Sequence, residues 1–239
     1  MANMNKNAAL LVIGVLLAGQ VLAQESVPEW KGEAAIGFVM TSGNTETQSA
    51  TLKSKAVNER AKWRHSAELD ALNTEDHDVT TAERYLLAGQ TNYKFRPRHY
   101  IFGLVSYEDD RFSGFDWRAS EVVGYGYRAI ERADLTLDLE VGPGARQSMP
   151  DVGDRKSEGM VRLAGNLDWK VSETTNFTEV LTSEIGEDVT ISKSVTGLKT
   201  QINNTLSMKL AYTVKHTSEV PAGIEKVDRE TAVMLVYGF

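Results

Sequence analysis

The chain contains no cysteine and only 5 prolines among 239 residues. Without thiols there is no disulfide framework, no thiolate nucleophile and no cysteine-held metal. Long apolar runs are also scarce. Ala8 to Ala18 (AALLVIGVLLA) is the main one, and it is shorter than the roughly 20 residues that a membrane-spanning helix needs. With no second such stretch and a mean hydropathy of -0.30, the exported chain is not a helical membrane protein. Positive charge is in short supply: Lys and Arg number 26 against 33 Asp and Glu, a net charge of -7. Nucleic acid is therefore excluded as a partner, because neutralising phosphates takes a concentrated basic face.

The N-terminus reads as a signal peptide. Lys6 supplies the positive start, the apolar stretch follows, and Val21-Leu22-Ala23 places small residues before a cut. Cleavage after Ala23, on the Sec route, leaves 24–239 as one domain and removes Lys6, taking the net charge from -7 to -8. Gln20 and Gln24 interrupt the apolar run before it could serve as an anchor, and no Cys follows the cut to carry lipid.

What the chain does have is alternation. Its end runs Thr231, Val233, Leu235, Tyr237, Phe239 on one parity and Glu230, Ala232, Met234, Gly238 on the other. Such a strand turns apolar side chains to lipid and small or polar ones to a lumen, with an aromatic residue at the rim. The pattern recurs in about twelve segments, roughly eighteen residues per strand and connection, against ~9–11 needed to cross a bilayer at a tilt. The clearest segment sets Leu135, Leu137, Leu139 and Val141 against Thr136, Asp138 and Glu140; another sets Trp63, His65, Ala67, Leu69 and Ala71 against Arg64, Ser66, Glu68 and Asp70. The segment 190–202 is ambiguous, with neither parity cleanly apolar. The predicted fold is all-β, a transmembrane up-and-down antiparallel β-barrel of about twelve strands, with a soluble sandwich or calyx as the alternative.

Connections alternate in length. Short ones are predicted at 58–62, 96–99, 129–133, 172–175 and 203–204. Longer, more charged ones fall at 74–81, 109–116, 147–156 and 219–227, the asymmetry of periplasmic turns and outer loops. Trp63, Phe95, Tyr100, Tyr127, Trp169, Phe177, Tyr237 and Phe239 cluster toward the short-turn side, and Tyr85, Tyr107 and Trp117 toward the other. Amphipathic rings favour that headgroup level.

Charged side chains facing lipid are costly, so those on the polar parity line the lumen. They are Glu33, Lys53, Lys55, Arg64, Glu68, Asp70, Arg84, Asp138, Glu140, Arg162, Asp168, Lys209, Lys215 and Glu230. Opposed acidic and basic walls suit small polar solutes in a narrow pore, or else pair and plug it. Catalytic signals are weak. His77 lies in an acidic loop and His216 near Thr217 and Ser218, the arrangement of a rim-site hydrolase. Loops of this composition hold such residues by chance, and no H-E-x-x-H, G-x-S-x-G or phosphate-loop pattern occurs. His65 and His99 read as interfacial. Asp70, Glu75, Asp76 and Asp78, or Asp109, Asp110 and Asp116, lack calcium-loop spacing and read as solvated acids. No cofactor or metal is expected.

Three stretches then carry a resemblance. GFVMTSGNTETQSATLKSKAVNERAKWRHSAEL, YEDDRFSGFDWRASEVVGYGYR and LEVGPGARQ, in this order, resemble the family of salt-induced outer-membrane proteins, a domain family of unknown function. Ser42, Gly43, Asn44 and Thr45 form its turn, and Asp110, Arg111, Phe112, Gly114 and Phe115 its second motif. The resemblance implies outer-membrane localisation and the barrel fold, and its name implies expression under salt stress. The expected role is a non-catalytic, stress-related envelope barrel; a narrow channel for ions or small polar solutes is the alternative, and a rim hydrolase the third. Expected partners are outer-membrane lipid, lipopolysaccharide and, during biogenesis, the barrel-assembly machinery that reads a terminal aromatic strand, with the barrel itself a monomer.

Overall fold

A computed structural model describes residues 30–42, 48–76, 79–110, 114–151, 153–221 and 223–239. The signal-peptide segment, the Gly43-Asn44-Thr45 part of the first motif, His77, and Arg111 and Phe112 lie outside the described residues. The rest forms twelve strands: β1 Trp30–Ser42, β2 Gln48–Glu59, β3 Trp63–Asp76, β4 Val79–Arg96, β5 His99–Asp110, β6 Phe115–Glu131, β7 Leu135–Pro150, β8 Lys156–Lys170, β9 Thr175–Gly186, β10 Thr190–Gln201, β11 Leu206–Thr217 and β12 Val227–Gly238. Each strand pairs antiparallel with its sequence neighbours, and β1 pairs with β12, so the sheet closes on itself. Closure leaves no unpaired edge, the condition for crossing a bilayer with strands.

Alternation sets the two faces. On β1, Ile36, Phe38 and Met40 point outward and are exposed, Phe38 by 79%, whereas Ala35 and Val39 point inward and are buried. Register carries that parity around the ring, because antiparallel partners share a face. Ala35 faces Val236, Lys53 faces Asp70, and Arg128 faces Asp138, all on the inside. The outer wall is an apolar band that includes Leu52, Leu69, Leu87, Val105, Val123, Leu139, Leu163, Leu181, Leu210 and Leu235.

Both described termini sit at one rim, called here the terminal rim. There Gly32 N donates to Phe239 O at 2.8 Å and Phe239 N to Gly32 O at 2.9 Å. A Cβ at position 32 would stand 2.4 Å from the Phe239 ring, so glycine there lets the ring lie over the clasp. The turns at this rim are short. In one of them Arg132 donates to Asp134 at 3.1 and 2.8 Å, a hydrogen bond that holds the Asp134 carboxyl below its ordinary range. Trp63 packs on Tyr93, Trp169 on Phe177, and Tyr237 on Phe239, an aromatic girdle at headgroup level.

Three sequence expectations need correction. The connections predicted over 74–81, 109–116 and 147–156 are shorter than expected, because β3 runs to Asp76, β4 starts at Val79, β5 runs to Asp110, β6 starts at Phe115, and β7 reaches Pro150 with β8 resuming at Lys156. Strand hydrogen bonding continues past the apolar band, where polar side chains on both faces cost nothing, so polarity alone does not mark the end of a strand. Tyr100 does not join the outer girdle: it shares the lumen face with Gly126, its partner in register, and is buried. His99 opens β5 and stacks against Tyr127 rather than sitting in the turn.

The ambiguous strand β10 has a physical cause. Its outward residues are Ser192, Ser194, Thr196 and Leu198, in register with Ser183, Leu181, Glu179 and Phe177 of β9. Glu179 faces outward as well, and its carboxylate accepts hydrogen bonds from Ser194 Oγ at 2.7 Å and Thr196 Oγ1 at 2.5 Å. Ser183 and Ser192 bond each other at 3.0 Å. Local pairing satisfies these groups on a face that is otherwise apolar.

Candidate functional site

The lumen is where the charged side chains converge, and its contents follow from parity. All fourteen lining residues named from the sequence lie on the inward face by register. Asp168, held by Asn176 at 3.2 Å, borders a cavity of about 440 Å³ at the terminal rim together with Lys170, Lys199 and Arg132.

In the terminal half, Lys199 of β10 donates to Glu33 of β1 at 2.8 Å, with Lys209 4.0 Å away. Arg128 grips Asp138 through Nε at 2.8 Å and Nη2 at 2.9 Å, while Arg64 approaches the same carboxylate from β3 at 3.9 Å. Lys55 and Glu68, register partners, pair at 2.5 Å.

The middle is packed. Glu140, 6% exposed, accepts from Arg162 Nη1 at 3.0 Å, Tyr100 Oη at 3.0 Å and Gln90 Nε2 at 2.8 Å. Burying a carboxyl group is costly unless donors satisfy its oxygens, and here three strands supply them. Tyr100 and Phe102 reach across β6 because Gly126 and Gly124 leave room: a Cβ at either would lie 2.1 Å or 2.5 Å from the ring above it. Apolar side chains fill the remaining space, with Val39, Leu72, Met234 and Val236 on one side and Phe102, Val122 and Met160 on the other.

In the half away from the termini, ion pairs cross the opening. Arg84 of β4 binds Glu230 of β12 at 2.7 Å and Asp70 at 3.4 Å; Lys53 completes the group at 2.9 Å from Glu230 and 3.1 Å from Asp70. Lys215 of β11 donates to Glu108 of β5 at 3.0 Å. β5 and β11 stand six positions apart in either direction around the ring of twelve, so this bond spans the diameter. Arg146, 2% exposed, pairs with Glu158 at 2.7 Å and Glu184 at 3.5 Å.

Sequence reasoning placed Glu108 and Arg118 in a charged cluster at the lumen mouth and did not name Arg128, Arg146, Glu158, Glu184, Lys193 or Lys199 as lumen residues. Parity would have found each once its strand was extended and its register fixed. The other loose ends are scattered. His216 is exposed on the outward face of β11, His65 bonds Thr91 Oγ1 at 3.1 Å beside Trp63, and no three His, Cys, Asp or Glu among the described residues group as metal ligands.

The wall at β9 to β11 differs from the packed side. Its inward residues are small, with Thr178, Val180, Thr182, Val195 and Thr213 all half-buried and Gly197 and Ala211 between them. Lys193, Lys199, Lys209 and Lys215 share this inward face.

Comparison with known proteins agrees with this architecture. The family described as "Protein of unknown function, DUF481" matches residues 34–239. The Escherichia coli (strain K12) protein named "Uncharacterized protein YdiY" is 27% identical over 211 residues, 87% of this chain and 82% of that protein. Among solved structures, the NanC porin superposes with a TM-score of 0.58 at 12% identity over 85% of this chain and 98% of that one. The KdgM porin gives 0.51 at 15% identity over 87% and 99%. The translocator domain of autotransporter NalP from Neisseria meningitidis gives 0.51 at 12% identity over 88% of each chain. At these identities the structures share a fold, an outer-membrane-type barrel.

Proposed function

We propose, from the premise that this chain belongs to the DUF481 family, that it is an outer-membrane barrel braced shut at rest, with an envelope role and no catalysis. The observation that carries this reading is the Lys215–Glu108 bond across the full diameter, 3.0 Å long. It is backed by the Arg84–Glu230 chord at 2.7 Å and the packed middle around Glu140. A side-chain plug of this kind gives wall-to-wall stiffness and little room for solute. The stress-related role rests on the family resemblance of its motifs. The terminal rim is read as periplasmic, because its turns are the short ones.

A second reading, a narrow channel, is supported by the small inward side chains along β9 to β11. Planar-bilayer recording of the folded barrel separates the two. Silence at moderate voltage is expected, and steady conductance in every insertion would replace the closed barrel with the channel.

A further inference from the structure

Glu108 meets more positive charge than it can pair with. Its register partner across β5–β6 is Arg118, and its bonded partner across the diameter is Lys215. Lys215 in turn lies directly opposite Lys193 on β10. Like charges placed in register repel, so the strand pair tolerates Lys193 beside Lys215 only with an anion close by. Among the described residues Lys193 has neither a hydrogen bond nor an ion pair of its own, and the field at Glu108 is set by Lys215, Lys193 and Arg118 together. Arg118 is 8% exposed and lies over the Phe115 ring, 3.7 Å from the centroid, and among the described residues its guanidinium has no ion pair. Close by, where Arg118 faces Ser148 and Ser120 faces Arg146, the Arg146 Nη1 group is buried without a hydrogen bond, its nearest acid being Glu184 at 3.5 Å. Asp110, 4.0 Å from Lys215, is the second acid at this mouth.

We propose that this half of the lumen is a binding site for a carboxylate anion, built by Arg118, Lys193 and Lys215, and that Glu108 is a tethered occupant which an exogenous carboxylate displaces. The inference rests on the closed-barrel reading and gives it a key: the plug is a ligand mimic. A carboxylate-bearing solute that reaches the mouth exchanges with Glu108 for the same three cations, no bond other than hydrogen bonds changes, and Glu108 swings off the diameter. The inner face of β10 and β11, with its four lysines, is then freed as an anion-attracting wall.

Chemical rescue tests this. Glu108→Ala removes a fragment the size of acetate and leaves the cations unpaired. In the barrel purified folded in detergent, acetate is expected to restore the unfolding midpoint of Glu108→Ala at concentrations about tenfold below those at which chloride or phosphate act, the advantage of one charge-assisted bond. Lys193→Met in that background should abolish the acetate effect. In bilayers Glu108→Ala should conduct with anion preference, and acetate should block the current. Acetate acting no better than chloride at equal ionic strength overturns the site, as does a conducting Glu108→Ala barrel without anion preference. A wild-type barrel that conducts freely overturns instead the closed-barrel reading beneath it. A phosphate effect stronger than that of acetate keeps an anion site but overturns its carboxylate class.

Discussion

Single residues decide how the lumen is filled. Gly124 and Gly126 on β6 give up side chains so that Phe102 and Tyr100 can lie over them, and the Tyr100 hydroxyl thereby reaches Glu140 at 3.0 Å. Gly126→Ala should therefore push Tyr100 away and lower stability by ~1–3 kcal/mol. Gly103→Ala, on the outward face with nothing within 4 Å of its Cβ position, should leave stability unchanged. Guanidinium titration of the two variants in one detergent reads the difference. Glu140 holds the larger stake. Its replacement by Ala strands Arg162 as a buried unpaired cation and leaves Tyr100 and Gln90 without their acceptor, an expected loss of ~3–5 kcal/mol. Glu140→Gln, which keeps an acceptor oxygen, should lose clearly less in the same titration.

Strands were the most legible level, because alternation at period two appears directly in the sequence and barrel geometry limits strand length. Two kinds of element resisted. Strand ends beyond the apolar band carry no hydropathy signal, so β3, β4, β6 and β7 run further than expected. In β10 the outward parity is spoiled by Ser192, Ser194 and Thr196, whose reason lies one strand away in the carboxylate of Glu179. A single sequence shows the hydroxyls and the acid but not that they are neighbours. The β9–β10 hairpin accordingly carries its own test. Glu179→Gln should fold as the wild type does, keeping an acceptor for both hydroxyls. Glu179→Ala should cost ~1–3 kcal/mol by leaving Ser194 and Thr196 unsatisfied against apolar surroundings. Heat-modifiable mobility on gels and denaturant midpoints compare the two.

For the whole molecule, inward parity was readable from charge and partnership was not. The sequence leaves open whether Asp70 meets Lys53, Arg84 or water, because the chords depend on which strands face one another across the ring. Six-strand opposition of β5 and β11 exists only once twelve strands have closed, and that closure makes Glu108 and Lys215 a pair. The same holds at the seam, where β1 and β12 exchange ten register pairs from Glu33–Gly238 to Ser42–Arg229. Removing Phe239 deletes both hydrogen bonds to Gly32 and should slow appearance of the folded, heat-modifiable form during refolding into lipid. An equal rate with and without Phe239 would show that the seam closes from its other end.

The clasp between Gly32 and Phe239 also dictates an order of events in time. Phe239, which follows all twelve strands, is the partner of a residue from the first one, so no shorter run of these strands is self-contained. Every partly delivered molecule carries two raw edges that invite pairing with any neighbouring strand, its own sibling chains included. A barrel built this way is hazardous while incomplete and inert once finished, and the seam between β1 and β12 is where one condition becomes the other.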